Sequence, residues 1–312
     1  MHADRGYGDG GTVGGMPSRT LTVPAPLDVA ATLRTSAAKA VGRVGAGDGG
    51  IWWVERSPVG PVSVSVQRTE DGVEAEAFGP GSVWALEHLP DLLGLGDDPA
   101  AFDPPPGPIR HLHGRSRGMR MGRSGLVWSA LLSAIVGQRV TAEEAHNAYL
   151  GIVRRYGEPA PGPVEAMVPP APDRIASLGY EDLHPLGVER SRAVTLIEAA
   201  RRMGRLEAVT GLPHADGYRL LTAVRGVGPW TAAIVMGAAC GDPDAVAVGD
   251  YHLPNLVAWV LAGEARATDE RMLDLLEPYR GHRRRVIALL ERSGLRAPAY
   301  GPRVARRRIG SS

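Results

Sequence analysis

The 312-residue chain is 44% hydrophobic and 22% charged with a mean hydropathy of −0.11, a globular composition long enough for two domains or one large one. No apolar run reaches the length of a membrane span, and the Gly-rich start MHADRGYGDGGTVGGMPSRT lacks the apolar segment of a signal peptide, so it reads as a flexible cytoplasmic tail. Cys240 is the one cysteine, which excludes intrachain disulfides and thiolate-held zinc or iron–sulfur centres. The net charge of +1 conceals an asymmetry: residues 1–104 hold 14 acids and 7 bases, so the remainder carries +8.

After the tail, assigned to 1–18, residues 19–103 read as a small β-rich domain. VSVSV (62–66) alternates with period two, Asp71-Gly72 supplies a turn, and VEAEAF alternates again. The pattern predicts a hairpin with Val62, Val64 and Val66 against Val73, Ala75 and Ala77 on one face. DPAAFDPPPGP (98–108) sustains neither helix nor sheet, because successive prolines remove backbone donors, and the domain boundary is placed there.

Residues 104–300 read as helical from about 125 onward. LVWSALLSAIVG is an apolar helix, GQRV a short break, and TAEE opens the next helix with Thr141 and Glu144 in capping-box spacing. VERSRAVTLIEAARRM (188–203) is amphipathic, with Ala193, Leu196, Ile197 and Ala200 on one face. Between 110 and 156, eight arginines face only Glu143 and Glu144; between 280 and 308, ten face only Glu291. These stretches are either solvated basic faces or a polyanion-binding surface, and their confinement to one part of the chain favours the second. The tail 301–312, GPRVARRRIGSS, is basic and reads either as a solvated end or as an aid to non-specific binding.

The most informative stretch is AVRGVGPWTAAIVMGAACGDPDAVAVGDYHLPN (223–255). A hairpin (218–240) of two helices turns at Gly226-Val227-Gly228, with Pro229 suited to the first helical position. Glycines there permit positive φ and leave backbone N–H groups uncovered, and N–H groups at a helix start can hold a phosphate oxygen. The alternative is an ordinary helix–turn–helix corner. Asp250, in the following loop (241–255), precedes a further helix and is by itself a helix cap or a catalyst.

In combination, the pattern h-x-G-V-G-x-W-T-A followed about twenty residues on by Asp resembles the helix–hairpin–helix (HhH-GPD) DNA glycosylases, most of all the bacterial DNA-3-methyladenine glycosylase II kind, which acts on alkylated purines. LVWSALLSAIVGQRVT, LGVERSRAVTLIEAA and EPYRGHRRRVIALL resemble other helices of that family. The resemblance implies an α+β fold: a mostly helical core in two lobes, preceded by a smaller N-terminal sheet domain. It also implies base excision from double-stranded DNA by a monomer in the cytoplasm, at the nucleoid. Asp250 matches the family's catalytic acid. Gly226, Val227, Gly228 and Thr231 match its DNA-gripping hairpin. Trp230, Tyr251 and Tyr279 match base-pocket aromatics, with Ile234 where an aromatic is expected. Arg139 takes the position of the side chain that fills the gap left by an extruded base, with Gln138 beside it. Relatives that also cut the strand carry a hairpin lysine; here that position is Trp230, and Lys39 is the chain's one lysine, so the expectation is a glycosylase without lyase activity.

No cofactor is implied, although a structural monovalent cation at the hairpin is compatible with the family. The histidines of HLH (111–113), His252 and His282 lack companions at metal-ligand spacing, so no catalytic metal is expected. Two other readings stay open: a glycosylase for deaminated or bulky bases, and a non-catalytic DNA-binding protein on the same scaffold.

Overall fold

The computed structural model describes residues 10–13, 16–23, 26–36 and 50–298. Lys39, the basic tail 301–312 and most of the 1–18 segment lie outside the described residues. The N-terminal part is a five-stranded antiparallel sheet of β1 (Gly10–Val13), β2 (Met16–Thr22), β3 (Ile51–Ser57), β4 (Gly60–Arg68) and β5 (Gly72–Phe78), in the order β1-β2-β5-β4-β3. The expected 1–18 tail is corrected for its described residues: Gly10 pairs with Arg19 and Val13 with Met16, so 10–13 and 16–18 belong to the sheet. That pairing uses backbone groups, which a reading of composition does not count.

The hairpin read from alternation is present as β4 and β5, with Val64 opposite Ala77 and Val66 opposite Ala75. All six predicted inward residues are at most 2% exposed. Helices α1 (Val29–Ser36) and α2 (Ser82–Leu92) pack beside the sheet and on each other. One core joins Leu21, Leu33, Val64 and Leu89 to Leu126 at the start of the helical region.

The helical part contains α3 (Pro108–Gly114), α4 (Val127–Val136), α5 (Ala142–Tyr156), a two-stranded ribbon of β6 (Glu158–Pro159) and β7 (Met167–Val168), then α6 (Pro172–Ala176), α7 (Tyr180–Leu183), α8 (Arg190–Arg201), α9 (Met203–Leu206), α10 (His214–Thr222), α11 (Pro229–Val235), α12 (Leu253–Ala262), α13 (Asp269–Leu276) and α14 (Arg283–Arg292). Every residue of α4 is buried, as its unbroken apolar run requires. It crosses α5, α8 and α11, and the Thr141–Glu144 capping box fixes the start of α5 immediately beyond the break.

Two separate cores divide the helices into lobes. The first gathers Leu131, Ile135, Ile152, Leu196, Leu221, Val235 and Met236. The second gathers Phe102, Ile109, Val257, Met272, Leu276, Val286 and Leu290. The hairpin ends in a π-helical turn, Met236–Cys240, still in the first core; by Val246 and Leu253 the chain has entered the second. Asp250 lies on that crossing segment.

Candidate active site

The hairpin turn treats its two glycines differently. Gly226 has φ +89°, and a Cβ there would come 2.0 Å from Thr195 Oγ1 of α8, so only glycine fits. Gly228 has ordinary extended backbone, φ −94° and ψ −177°, and a Cβ there would meet nothing within 4 Å. The Val227 N–H is bonded to Val224 O at 3.0 Å, whereas the N–H groups of Gly226 and Gly228 find no acceptor among the described residues. The side chains of Val227 and Thr231 are 4% and 1% exposed and face the interior, so any contact these two residues make with DNA is through the backbone.

Asp250 is half-buried, and its two oxygens have different partners. Oδ1 accepts from the backbone N–H of His252 at 2.8 Å and of Leu253 at 2.9 Å, capping the entry to α12. Oδ2 accepts from the indole Nε1–H of Trp230 at 3.1 Å. Cap and candidate catalyst are thus not alternatives for this residue. The preceding Gly249, at φ +90°, donates its N–H to Asp269 Oδ2 of α13 at 3.0 Å. Earlier in the loop, buried Asp242 accepts from Tyr218 Oη of α10 at 2.9 Å, and Asp244 accepts from Gly281 N at 2.7 Å and Arg283 Nε at 3.0 Å. The Arg283 hydrogen bond and backbone donors hold the Asp244 carboxyl below its usual range against the opposing effect of burial. Sequence reading missed these anchors, since GDPD reads only as turn residues.

Trp230 therefore meets Asp250 directly, and its ring also approaches the α4 end, 3.7 Å from where a Gly137 Cβ would lie. The other expected pocket residues are more dispersed. Tyr251 is 79% exposed and stands edge-on to His252. Ile234 is half-buried against the first core and Tyr279 against the second, 6.5 Å from Phe102; burial raises the Tyr279 hydroxyl pKa. Two surface cavities, one of about 430 Å³ lined by Asp97, Arg123, His214 and Arg285 and one of about 410 Å³ lined by Arg205, Leu212 and Arg219, include none of the four. Around Asp250 the protein presents a half-buried surface.

At the α4–α5 break, Gln138 and Arg139 separate sharply. Gln138 donates from Nε2 to Gly226 O at 2.9 Å and to Thr231 Oγ1 at 2.8 Å. Arg139 is exposed, with φ +55°, the one non-glycine among the described residues at positive φ. Its guanidinium has no hydrogen bond or ion pair among the described residues. Among those residues there is no group of three or more His, Cys, Asp or Glu able to hold a metal ion, and no helix long and apolar enough to cross a membrane.

A two-helix hairpin turning on Gly-Val-Gly, crossing between lobes to a capped carboxylate, defines a helix–hairpin–helix protein. Residues 132–280, a little under half of the chain, match the family described as HhH-GPD superfamily base excision DNA repair protein. It is 32% identical over 117 residues to a thymine-DNA glycosylase of Aeropyrum pernix, covering 38% of this chain and 47% of that protein. It is 25% identical over 160 residues to a DNA-3-methyladenine glycosylase of Bacillus subtilis, covering 49% and 52%. The chain spans about half the length of the curated relatives it matches. Its fold is similar to the solved 3-methyladenine DNA glycosylase of Archaeoglobus fulgidus, with a TM-score of 0.70 at 19% identity over 87% of this chain and 96% of that one.

Proposed function

We propose that the protein is a monofunctional DNA glycosylase that starts base-excision repair by releasing damaged bases, alkylated purines first among them, with Asp250 as the catalytic carboxylate. The observation that carries this reading is Asp250 itself, held by two backbone N–H groups and one indole N–H on the segment between the lobes. In the reaction, the C1′–N bond of the extruded nucleotide breaks and its electron pair leaves with the base. An N-alkylated purine is already cationic and departs neutral, so no strong general acid is needed. The sugar develops oxocarbenium character, which a fixed carboxylate stabilises electrostatically. Water then adds at C1′ and gives up its proton to bulk solvent, leaving an abasic site.

The rest of the surface serves binding. The Gly226 and Gly228 N–H groups grip a phosphate at the start of α11, and the arginines supply long-range attraction. Arg139, exposed and turned into a left-handed conformation, fills the gap in the stack; a guanidinium can stack there and donate to the orphaned partner base. Tyr251, Ile234 and Tyr279 close on the extruded base beside Trp230. Neither Trp230 nor any other residue of the helical lobes supplies a lysine amine, so the sugar–phosphate strand stays intact.

The test is base release by wild type and Asp250→Asn from duplexes carrying methylated purines, a G·T mismatch or an oxidised guanine. Wild type should release the methylated base and leave a strand cut only after hot alkali. Asp250→Asn should lose roughly a hundredfold or more in rate, the scale of losing transition-state charge stabilisation, while still binding the duplex. A variant keeping more than about a tenth of the wild-type rate would remove Asp250 from its role. Preferential release from the mismatch would shift the substrate to deaminated bases. A borohydride-trapped adduct would end the claim of monofunctional chemistry.

A further inference from the structure

We infer that Gln138 is a positioning residue that couples the Arg139 loop to the hairpin turn, so that placing Arg139 in the DNA stack and gripping the DNA backbone become one event. The inference rests on the glycosylase reading of the site. Its basis is a closed set of contacts among three segments that are distant in sequence.

The Gly226 carbonyl can only accept a hydrogen bond, so the Gln138 amide nitrogen must face it, and the second N–H of that nitrogen reaches Thr231 Oγ1. Both donors of the amide are thereby spent on the hairpin, one on its turn and one on the first turn of α11. The Arg139 loop is held from its other side by Arg192 of α8, a side chain only 2% exposed. Arg192 donates from Nη1 to Val136 O at 2.6 Å, at the end of α4, and from Nη2 to Gly187 O at 3.0 Å. Three residues further along the same helix, Thr195 lies against Gly226 so closely that a Cβ would come 2.0 Å from its hydroxyl oxygen. Loop and turn are thus joined twice, directly through Gln138 and indirectly through α8.

Arg139 follows Gln138 immediately, and its φ of +55° is a conformation that L-residues hold only when their surroundings impose it. That conformation sets the direction in which the Arg139 side chain leaves the backbone, and the adjoining residue of that backbone is tied to the hairpin by the Gln138 amide. A displacement of the turn by a bound phosphate therefore reaches Arg139 without crossing the interior of the lobe. Gln138 itself is not available to enter the stack while this arrangement holds.

Two measurements on the full chain test the coupling. The first needs no DNA: hydrogen exchange of the free protein, wild type against Gln138→Ala. Losing two hydrogen bonds should raise exchange by roughly tenfold or more, in 137–141 and in 225–231 together, with α12–α14 unchanged. Faster exchange confined to one of the two segments would overturn the coupling. Gln138→Glu preserves the volume but sets a carboxylate against the Gly226 carbonyl, and it should give the same paired signature even if the alanine variant folds poorly.

The second measurement is a double-mutant cycle of Gln138→Ala and Arg139→Ala, read by fluorescence of a 2-aminopurine placed beside a damaged base. Each single variant should slow base extrusion by roughly tenfold, and the double variant should lie within about twofold of the slower single, because residues acting as one unit are non-additive. Additive losses would overturn the proposal. If the wild type extrudes no base from any duplex, the glycosylase reading fails instead, and the exchange experiment still decides whether Gln138 joins the two segments.

Discussion

Asp250 divides its work between two oxygens, one committed to the α12 entry and one to the Trp230 indole. This division bears on how its variants behave. Asparagine can keep the cap through its carbonyl oxygen, but then its amide faces the indole N–H donor against donor. Asp250→Asn should therefore lose about 1 kcal/mol of stability as well as activity, which a thermal melt would show. Trp230→Phe is the sharper probe of the indole. It removes the N–H together with the five-membered half of the indole while keeping a six-membered aromatic ring, and the lost charge-assisted hydrogen bond is worth about 1.5–3 kcal/mol. Single-turnover base release should drop roughly ten- to a hundredfold on that account, with duplex affinity unchanged. Wild-type rates in Trp230→Phe would show that the ring only packs.

The hairpin separates a glycine needed by the fold from one available to the ligand. At Gly226, the positive φ and the contact with Thr195 leave no room for a side chain, so Gly226→Ala should destabilise the protein by about 1–3 kcal/mol in a denaturant melt. At Gly228 the backbone is extended and the space is open, so Gly228→Ala should stay within about 0.5 kcal/mol of wild type. Gly228→Asp should fold equally well yet weaken binding to damaged and undamaged duplex alike, because phosphate contacts carry no base information. Titration across a salt series should show a log–log slope of roughly −0.9 per neutralised phosphate. Unchanged affinity in Gly228→Asp would reduce the turn to a corner.

Across the whole molecule, the sheet is docked on the first helical lobe through its edge strand. On β3, Arg56 pairs with Glu158 and donates to Pro169 O at 2.8 Å, while Trp128 of α4 donates to Pro170 O at 2.8 Å. Between them Glu55, 4% exposed, accepts from Ser129 Oγ at 2.7 Å. Burial raises its carboxyl from 4.5 to about 7, outweighing the Ser129 hydrogen bond, and the Tyr149 hydroxyl, buried near it, is pushed up as well. A carboxyl with a raised folded-state pKa stabilises the fold fully below its unfolded value, and this contribution is lost as pH rises through the folded value. The window runs from about 4.5 to about 7, and the shift corresponds to at most about 3 kcal/mol. Relative to Glu55→Gln, which cannot ionise, wild type should lose stability between pH 5 and pH 8 on the order of that amount. Parallel pH dependence of the two proteins in urea melts would show that folding leaves the Glu55 pKa unshifted.

The features legible in the sequence were those whose physics is local. Alternation in VSVSV and VEAEAF specifies which face of β4 and β5 is buried, the Thr141–Glu144 spacing starts α5, and the apolar run of α4 demands burial on all sides. Gly226, Gly228 and Asp250 stood out because a turn and a helix start constrain residue type within a few positions. Tertiary structure alone decided what those residues touch. The Trp230–Asp250 bond spans 20 positions, Glu55–Ser129 spans 74, and Gln138–Gly226 spans 88. It also turned Thr231 and Val227 inward, left Tyr251 in solvent, and gave the Gln138 amide to the hairpin while freeing Arg139. None of this follows from periodicity or composition, because the direction of a side chain at a lobe junction is set by whichever distant element packs against it, and that partner is chosen only when the cores assemble.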